Sequence, residues 1–147
     1  MKLNLPEYEY EVRHLADGTL QIHDRLRGKF VALTPEEWVR QHFVNFLIAH
    51  RGYPPHLMAN EVGIRHNGCL RRCDTIIYDH YATPIAIVEY KAPEIEITSR
   101  VFDQIVRYNM VLKVRSLMVS NGMAHYACRI EGDSYHFLRD VPLYDNL

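Results

Sequence analysis

Apolar and polar positions alternate in short runs over residues 8 to 33. The runs are broken at Ala16-Asp17-Gly18-Thr19 and at Leu26-Arg27-Gly28-Lys29. A period of two, with Asp-Gly between runs, predicts a small antiparallel β-meander. The period changes at Thr34. Thr34 reads as a helix N-cap, Pro35 fits the first helical position, and Glu37, three residues after the cap, reads as the capping-box partner. Val39, Phe43, Phe46 and Leu47 then share one helical face until Arg51-Gly52-Tyr53-Pro54-Pro55 stops the helix. A first core strand is expected within His56 to Ile64, a hairpin turn at Asn67-Gly68, a second strand at Arg71 to Tyr78 and a third at Pro84 to Lys91. Ile85 to Val88 are continuously apolar, which predicts a strand buried on both faces. Ala92-Pro93 breaks it. A second helix follows over residues 98 to 112, with Val101, Ile105, Tyr108 and Leu112 on one face. Ser116 to Ser120, Ala124 to Ile130 and Ser134 to Leu138 read as closing strands. The order predicts an α/β fold: a mixed central β-sheet flanked by helices, preceded by the meander.

Composition adds bounds to this picture. The 147 residues suffice for one domain with its own core, and no linker, repeat or low-complexity stretch divides them. A single domain, residues 1–147, is therefore expected, with 1–33 as an extension on a core of 34–147. Hydrophobic content of 48% and charged content of 24% are ordinary globular usage. No run of 18 apolar residues exists, so no membrane span is expected. The opening MKLNLPEYEYEVRHL is acidic and alternating, unlike a signal peptide, and a cytoplasmic location is expected. Cys69, Cys73 and Cys128 do not suggest a disulfide scaffold. Cys69, Cys73 and His80 lack the tight pairs and the fourth ligand of a structural zinc site. No Gly-x₄-Gly-Lys-Ser/Thr loop occurs, so no ATP-driven motor is expected within these residues. A net charge of −1 is not the mark of a strong non-specific DNA binder. Basic residues nonetheless cluster at Arg65, Arg71 and Arg72, and recur at Arg100, Arg107, Lys113 and Arg115.

The candidate chemistry lies in RRCDTIIYDHYATPIAIVEYKAP, residues 71 to 93. Asp74 stands near the start of one strand, and Glu89 and Lys91 end the next. Two residues apart on a strand, Glu89 and Lys91 point to one face. Two acids and a lysine on one patch suit metal-assisted phosphodiester cleavage: hard oxygen ligands for Mg²⁺, and an ammonium to orient water or offset phosphate charge. The same three residues could be surface charges on a strand. The buried run leading into them favours a pocket. Gln104 and Tyr108, at i and i+4, share a face of the second helix. Glu36 shares the face of Val39 on the first helix and is its candidate for reaching a metal.

These residues resemble a known group. Asp74, fourteen residues, then Glu89-x-Lys91 resembles the PD-(D/E)xK nucleases. Glu-Tyr-Lys-Ala-Pro at 89–93, Arg72-x-Asp74, Gln104-x-x-x-Tyr108 and the opening helix at 35–41 are similar to the N-terminal nuclease domain of type I restriction enzyme motor subunits. The resemblance covers about residues 34 to 125. It implies a restriction-endonuclease-like core with Asp74, Glu89 and Lys91 as catalytic residues. Asp74, Glu89 and the Tyr90 backbone carbonyl would bind Mg²⁺, with Mn²⁺ an alternative. Glu61 resembles a further acid of the metal shell. Gln104 and Tyr108 would support the site or contact DNA, joined as DNA contacts by Arg72 and Arg107. The implied partners are DNA and restriction-modification subunits, and a symmetric homodimer would allow two strands to be cut. A rival reading stays open: the same fold as a catalytically silent DNA-binding or protein-interaction module.

Overall fold

The computed structural model describes residues 1–147. The meander is a sheet of its own, with β1 (Val12–His14), β2 (Leu20–Asp24) and β3 (Lys29–Ala32) antiparallel in that order. Asp17 closes its first turn by accepting from the Thr19 amide at 3.0 Å and hydroxyl at 2.7 Å. Helix α1 spans Pro35–Arg51. The Thr34 hydroxyl accepts from the Glu37 amide at 3.0 Å, as the cap predicts. The reciprocal half of the capping box is absent, because the Glu37 carboxylate turns instead to Arg27 and Gln41. Gly52, at φ +72°, ends the helix in the left-handed conformation that glycine adopts without steric cost.

The main sheet has six strands in sequential order: β4 (Met58–His66), β5 (Cys69–Tyr78), β6 (Pro84–Tyr90), β7 (Ser116–Ser120), β8 (His125–Glu131) and β9 (Ser134–Phe137). Only β6 and β7 pair in parallel, and the crossover between them carries α2 (Ser99–Asn109). Asn67 and Gly68, at φ +49° and +77°, make the β4–β5 turn with two left-handed residues, which matches the twist of the flanking strands. The strands and helices thus follow the order that periodicity predicts. Boundaries differ where short 3₁₀ turns intervene: Pro55–Leu57 delays β4, and Met110–Leu112 takes over the last turn expected of α2.

The sheet is sandwiched. On one side Ala86, Val88, Tyr90 and Met118 meet Val39, Phe43 and Leu47 of α1. On the other Ile87, Leu117 and Val119 meet Phe102 and Val106 of α2. Strand β6 therefore buries both faces, which explains why its apolar run does not alternate. Each such Val, Leu, Ile, Phe or Met side chain contributes about 1.5–3 kcal/mol by leaving water.

Candidate functional site

The pairing of β5 with β6 runs from Tyr78 down to Thr75–Val88 and stops there. The next opposed residues are Asp74 and Glu89. On its other edge, β5 pairs with β4 at Asn60–Thr75 and Val62–Cys73 and skips the Glu61–Asp74 step, where Glu61 takes φ +56°. Both ladders thus open at one point, and the Asp74 carboxylate fills the gap: its Oδ2 accepts from the Tyr90 amide at 2.9 Å. The Lys91 amide donates to Ser120 O of β7 at 2.9 Å. Backbone edges alternate along a strand, so the Tyr90 carbonyl faces the same side as its amide, towards Asp74.

Asp74 and Glu89 stand within hydrogen-bond reach of each other, and Glu89 is half-buried. Burial, then the Asp74 charge and a hydrogen bond with Asp74, push the Glu89 carboxyl up to about 9, against a partial offset from Lys91. Glu36, at the start of α1, faces the same group. Burial and the Asp74 charge raise its pKa, while Arg40 and Lys91 oppose the rise. The thiol of Cys73, buried and close to Glu89 and Asp74, is pushed up to about 12 and is inert.

Beneath these acids lies a cation that sequence reasoning missed. Arg40 is 3% exposed. Its Nη2 reaches Glu61 Oε1 at 2.6 Å and Asp74 Oδ1 at 3.8 Å, and its Nε lies 3.6 Å from Glu37 Oε2. Nε and Nη1 have no hydrogen-bond partner. The guanidinium carbon sits 5.7 Å from the centre of the Tyr90 ring, a cation–π contact. Burial opposes the charge on Arg40, but Glu37, Glu61, Tyr90 and Asp74 together raise its pKa. Glu37 in turn accepts from Arg27 Nη2 at 2.6 Å and Gln41 Nε2 at 3.0 Å. A second chain runs in parallel. Asp24, fully buried, accepts from the Leu26 and Arg27 amides, the Arg27 side chain and Asn60 Nδ2. Asn60 Oδ1 accepts from the Thr75 hydroxyl at 2.6 Å, which also bonds the Tyr90 hydroxyl at 2.9 Å. The one legible sign was spacing: Glu36, Glu37 and Arg40 share a helical face.

The other candidates are dispersed. Both carboxylate oxygens of Glu61 are engaged, one by Arg40 and the other by Arg72 Nε at 3.1 Å. Burial raises its pKa, and these partners more than reverse the rise. Glu61 is thus an anchor for two arginines rather than an open ligand. Gln104 is exposed on α2, and Tyr108 is half-exposed. Neither has a hydrogen bond to Asp74, Glu89 or Lys91; the carbonyl of Tyr108 and the face of its ring are taken by Arg71. Arg107 pairs with Asp103 at 3.3 Å on the helix surface. No three acidic, histidine or cysteine side chains converge as a closed metal cage. Asp74, Glu89 and the Tyr90 carbonyl are the hard oxygens here that could hold a divalent ion. That suits Mg²⁺, which keeps waters and takes one or two carboxylates together with substrate phosphates.

No curated protein matches the chain. The family described as type I restriction enzyme R protein N terminus matches residues 35–142, from the first residue of α1 to beyond β9. That span holds Glu36, Asp74, Glu89 and Lys91 and all but the meander and the two chain ends. The chain belongs to the type I restriction enzyme R protein N-terminal family.

Proposed function

We propose that this protein is a Mg²⁺-dependent DNA endonuclease domain of the PD-(D/E)xK type, acting in restriction. The observation that carries the reading is the pair Asp74 and Glu89, side by side where both strand ladders open, with the Tyr90 carbonyl turned to the same gap. Asp74, Glu89 and that carbonyl would hold the ion. When bound there, Mg²⁺ supplies a Lewis acid for the phosphate and lowers the pKa of a coordinated water. Lys91, one residue past the end of β6 and near enough for its charge to act on Glu89 and Glu36, would orient the attacking water and offset the charge that grows on the phosphate. Glu36 would hold a further water from across the cleft. The Tyr90 amide holds Asp74 at 2.9 Å and the Arg40 charge lies 3.8 Å from its other oxygen, so the carboxylate is oriented before an ion arrives. DNA and restriction-modification subunits are the partners this reading implies.

One observation favours the rival, a silent binding module: no third acidic, histidine or cysteine side chain closes on the acid pair. The two readings separate in one experiment. Supercoiled, linear and single-stranded DNA are incubated with the protein in Mg²⁺ and in Mn²⁺, beside Asp74→Ala and Glu89→Ala. Metal-dependent cutting by the wild type, lost in both variants, supports the nuclease. DNA binding without cutting in either metal supports the module.

A further inference from the structure

Residues 62–73 contain three arginines and no acid, in a chain whose net charge is −1. They form the outer part of the β4–β5 hairpin. Below Thr75, β5 pairs with β4 alone, so this part projects past the sheet as a two-stranded ribbon. Its faces differ. Val62, Ile64 and Cys73 pack on the α2 side of the core. Arg71 lies with them: its guanidinium stands 4.1 Å over the Tyr108 ring, and its Nη1 donates to the Tyr108 carbonyl at 3.0 Å. The opposite face carries Gly63, Arg65, Leu70 and Arg72, all exposed. It is flat because Gly63 has no side chain. A Cβ there would meet Leu70 Cδ1 at 2.8 Å, so Leu70 lies across the glycine. Arg72 reaches Glu61 at 3.1 Å, so this open face leads directly into the acid group.

We propose that the β4–β5 ribbon is the surface that seats duplex DNA against the site, with Arg65 and Arg72 on backbone phosphates and Tyr108 as the brace that holds the ribbon through Arg71. This rests on the nuclease reading and adds the element that presents the substrate. A two-stranded ribbon fits the major groove, about 12 Å wide. Two residues of strand rise about 6.8 Å, so Arg72 sits within one or two nucleotides' length of Asp74 along a bound strand. Arg72 exchanges Glu61 for a phosphate, and Glu61 keeps Arg40 at 2.6 Å. Tyr108 acts here through its ring face rather than its hydroxyl.

The test is fluorescence anisotropy of a labelled 20-base-pair duplex with the full chain in EDTA, across a salt series, so that binding is read without cleavage. Mg²⁺ binding by calorimetry is measured on the same preparations. In the Arg65→Ala/Arg72→Ala double variant, affinity is expected to fall at least about tenfold. The slope of log K against log salt is expected to shrink by about 1.8, or about 0.9 for each phosphate that is no longer neutralised. Mg²⁺ affinity is expected to remain. Tyr108→Phe, which keeps the stacking face, should bind as the wild type does, and Tyr108→Ala should weaken binding. A double variant with wild-type affinity and salt slope overturns the proposal. So does a wild type that prefers single-stranded RNA of the same sequence, or one that binds no duplex. Failure of the nuclease reading is seen separately, as absence of metal-dependent cutting while the ribbon still binds duplex.

Discussion

Glu89 is where sequence chemistry and three-dimensional environment act most directly on each other. Its pKa in the folded chain is raised to about 9 from an ordinary 4.5, so the native state holds a proton that the unfolded state has released at any pH between the two. Stability from this group is fully present below about pH 4.5 and is lost as pH rises towards 9. Thermal denaturation of the metal-free protein should therefore show a Tm that falls across this window, and Glu89→Gln should flatten the fall. Under the proposed reading, Mg²⁺ would displace the same proton. Calorimetry near pH 7 in two buffers of different ionisation enthalpy should report proton release on binding, and equal apparent enthalpies in both would refute that exchange. Lys91 offers a separate test. Lys91→Ala leaves the oxygens that would bind the ion, so metal affinity should persist. Single-turnover cleavage should drop by on the order of 10²–10³. Arginine should rescue poorly, because a planar fork does not reproduce a compact ammonium. A wild-type cleavage rate in Lys91→Ala would reduce Glu-x-Lys to surface charge.

At the scale of elements, α1 is more than a cover for the sheet. Its capping signal is legible in Thr34-Pro35, because a cap is a local bond between neighbours in sequence. The destination of Glu37 is not legible, for the converse reason: its partners, Arg27 and Arg40, come from a turn ten residues earlier and from the next helical turn inside the core. Arg40 looks like any surface arginine in the sequence. Only the fold buries it between Glu37, Glu61 and Asp74. Removing Arg40 takes the one cation from Asp74 and leaves Glu37 with Arg27 and Glu61 with the exposed Arg72 alone. Arg40→Met should therefore cost about 3–5 kcal/mol in urea denaturation. Arg40→Lys should recover only part, since one ammonium cannot span three carboxylates. A loss under about 1 kcal/mol would mean that the acids find other partners or that the cluster is wet. The helix-two motif shows the same limit. Gln104 and Tyr108 are legible as a shared face, but which neighbour that face meets is set by how the β4–β5 hairpin twists over α2.

For the molecule as a whole, the strand order and the doubly buried β6 are legible because they depend on periodicity and chain connectivity. The role of the meander is not, because its buried link to the core depends on one aspartate at the end of β2. The family match begins after the meander, at residue 35, yet Asp24 of the meander is fully buried and bonded to Asn60 of β4. Through Asn60 the chain continues to Thr75 and the Tyr90 hydroxyl, whose residue's amide in turn holds Asp74. If the first sheet is part of the site's framework, its loss must be felt at the far end of that chain. Asp24→Ala leaves Arg27 with Glu37 alone and removes the acceptor of the Asn60 side-chain amide and of the Leu26 and Arg27 backbone amides, and should cost about 3 kcal/mol or more. Thr75→Val cuts the same chain two bonds further on. In a double-mutant cycle followed by urea denaturation, the two changes should be non-additive by about 0.5–3 kcal/mol, as expected of sites in one network. Additivity within about 0.3 kcal/mol would make the meander an appendage that stabilises itself and leaves the acid pair to the six-stranded sheet alone.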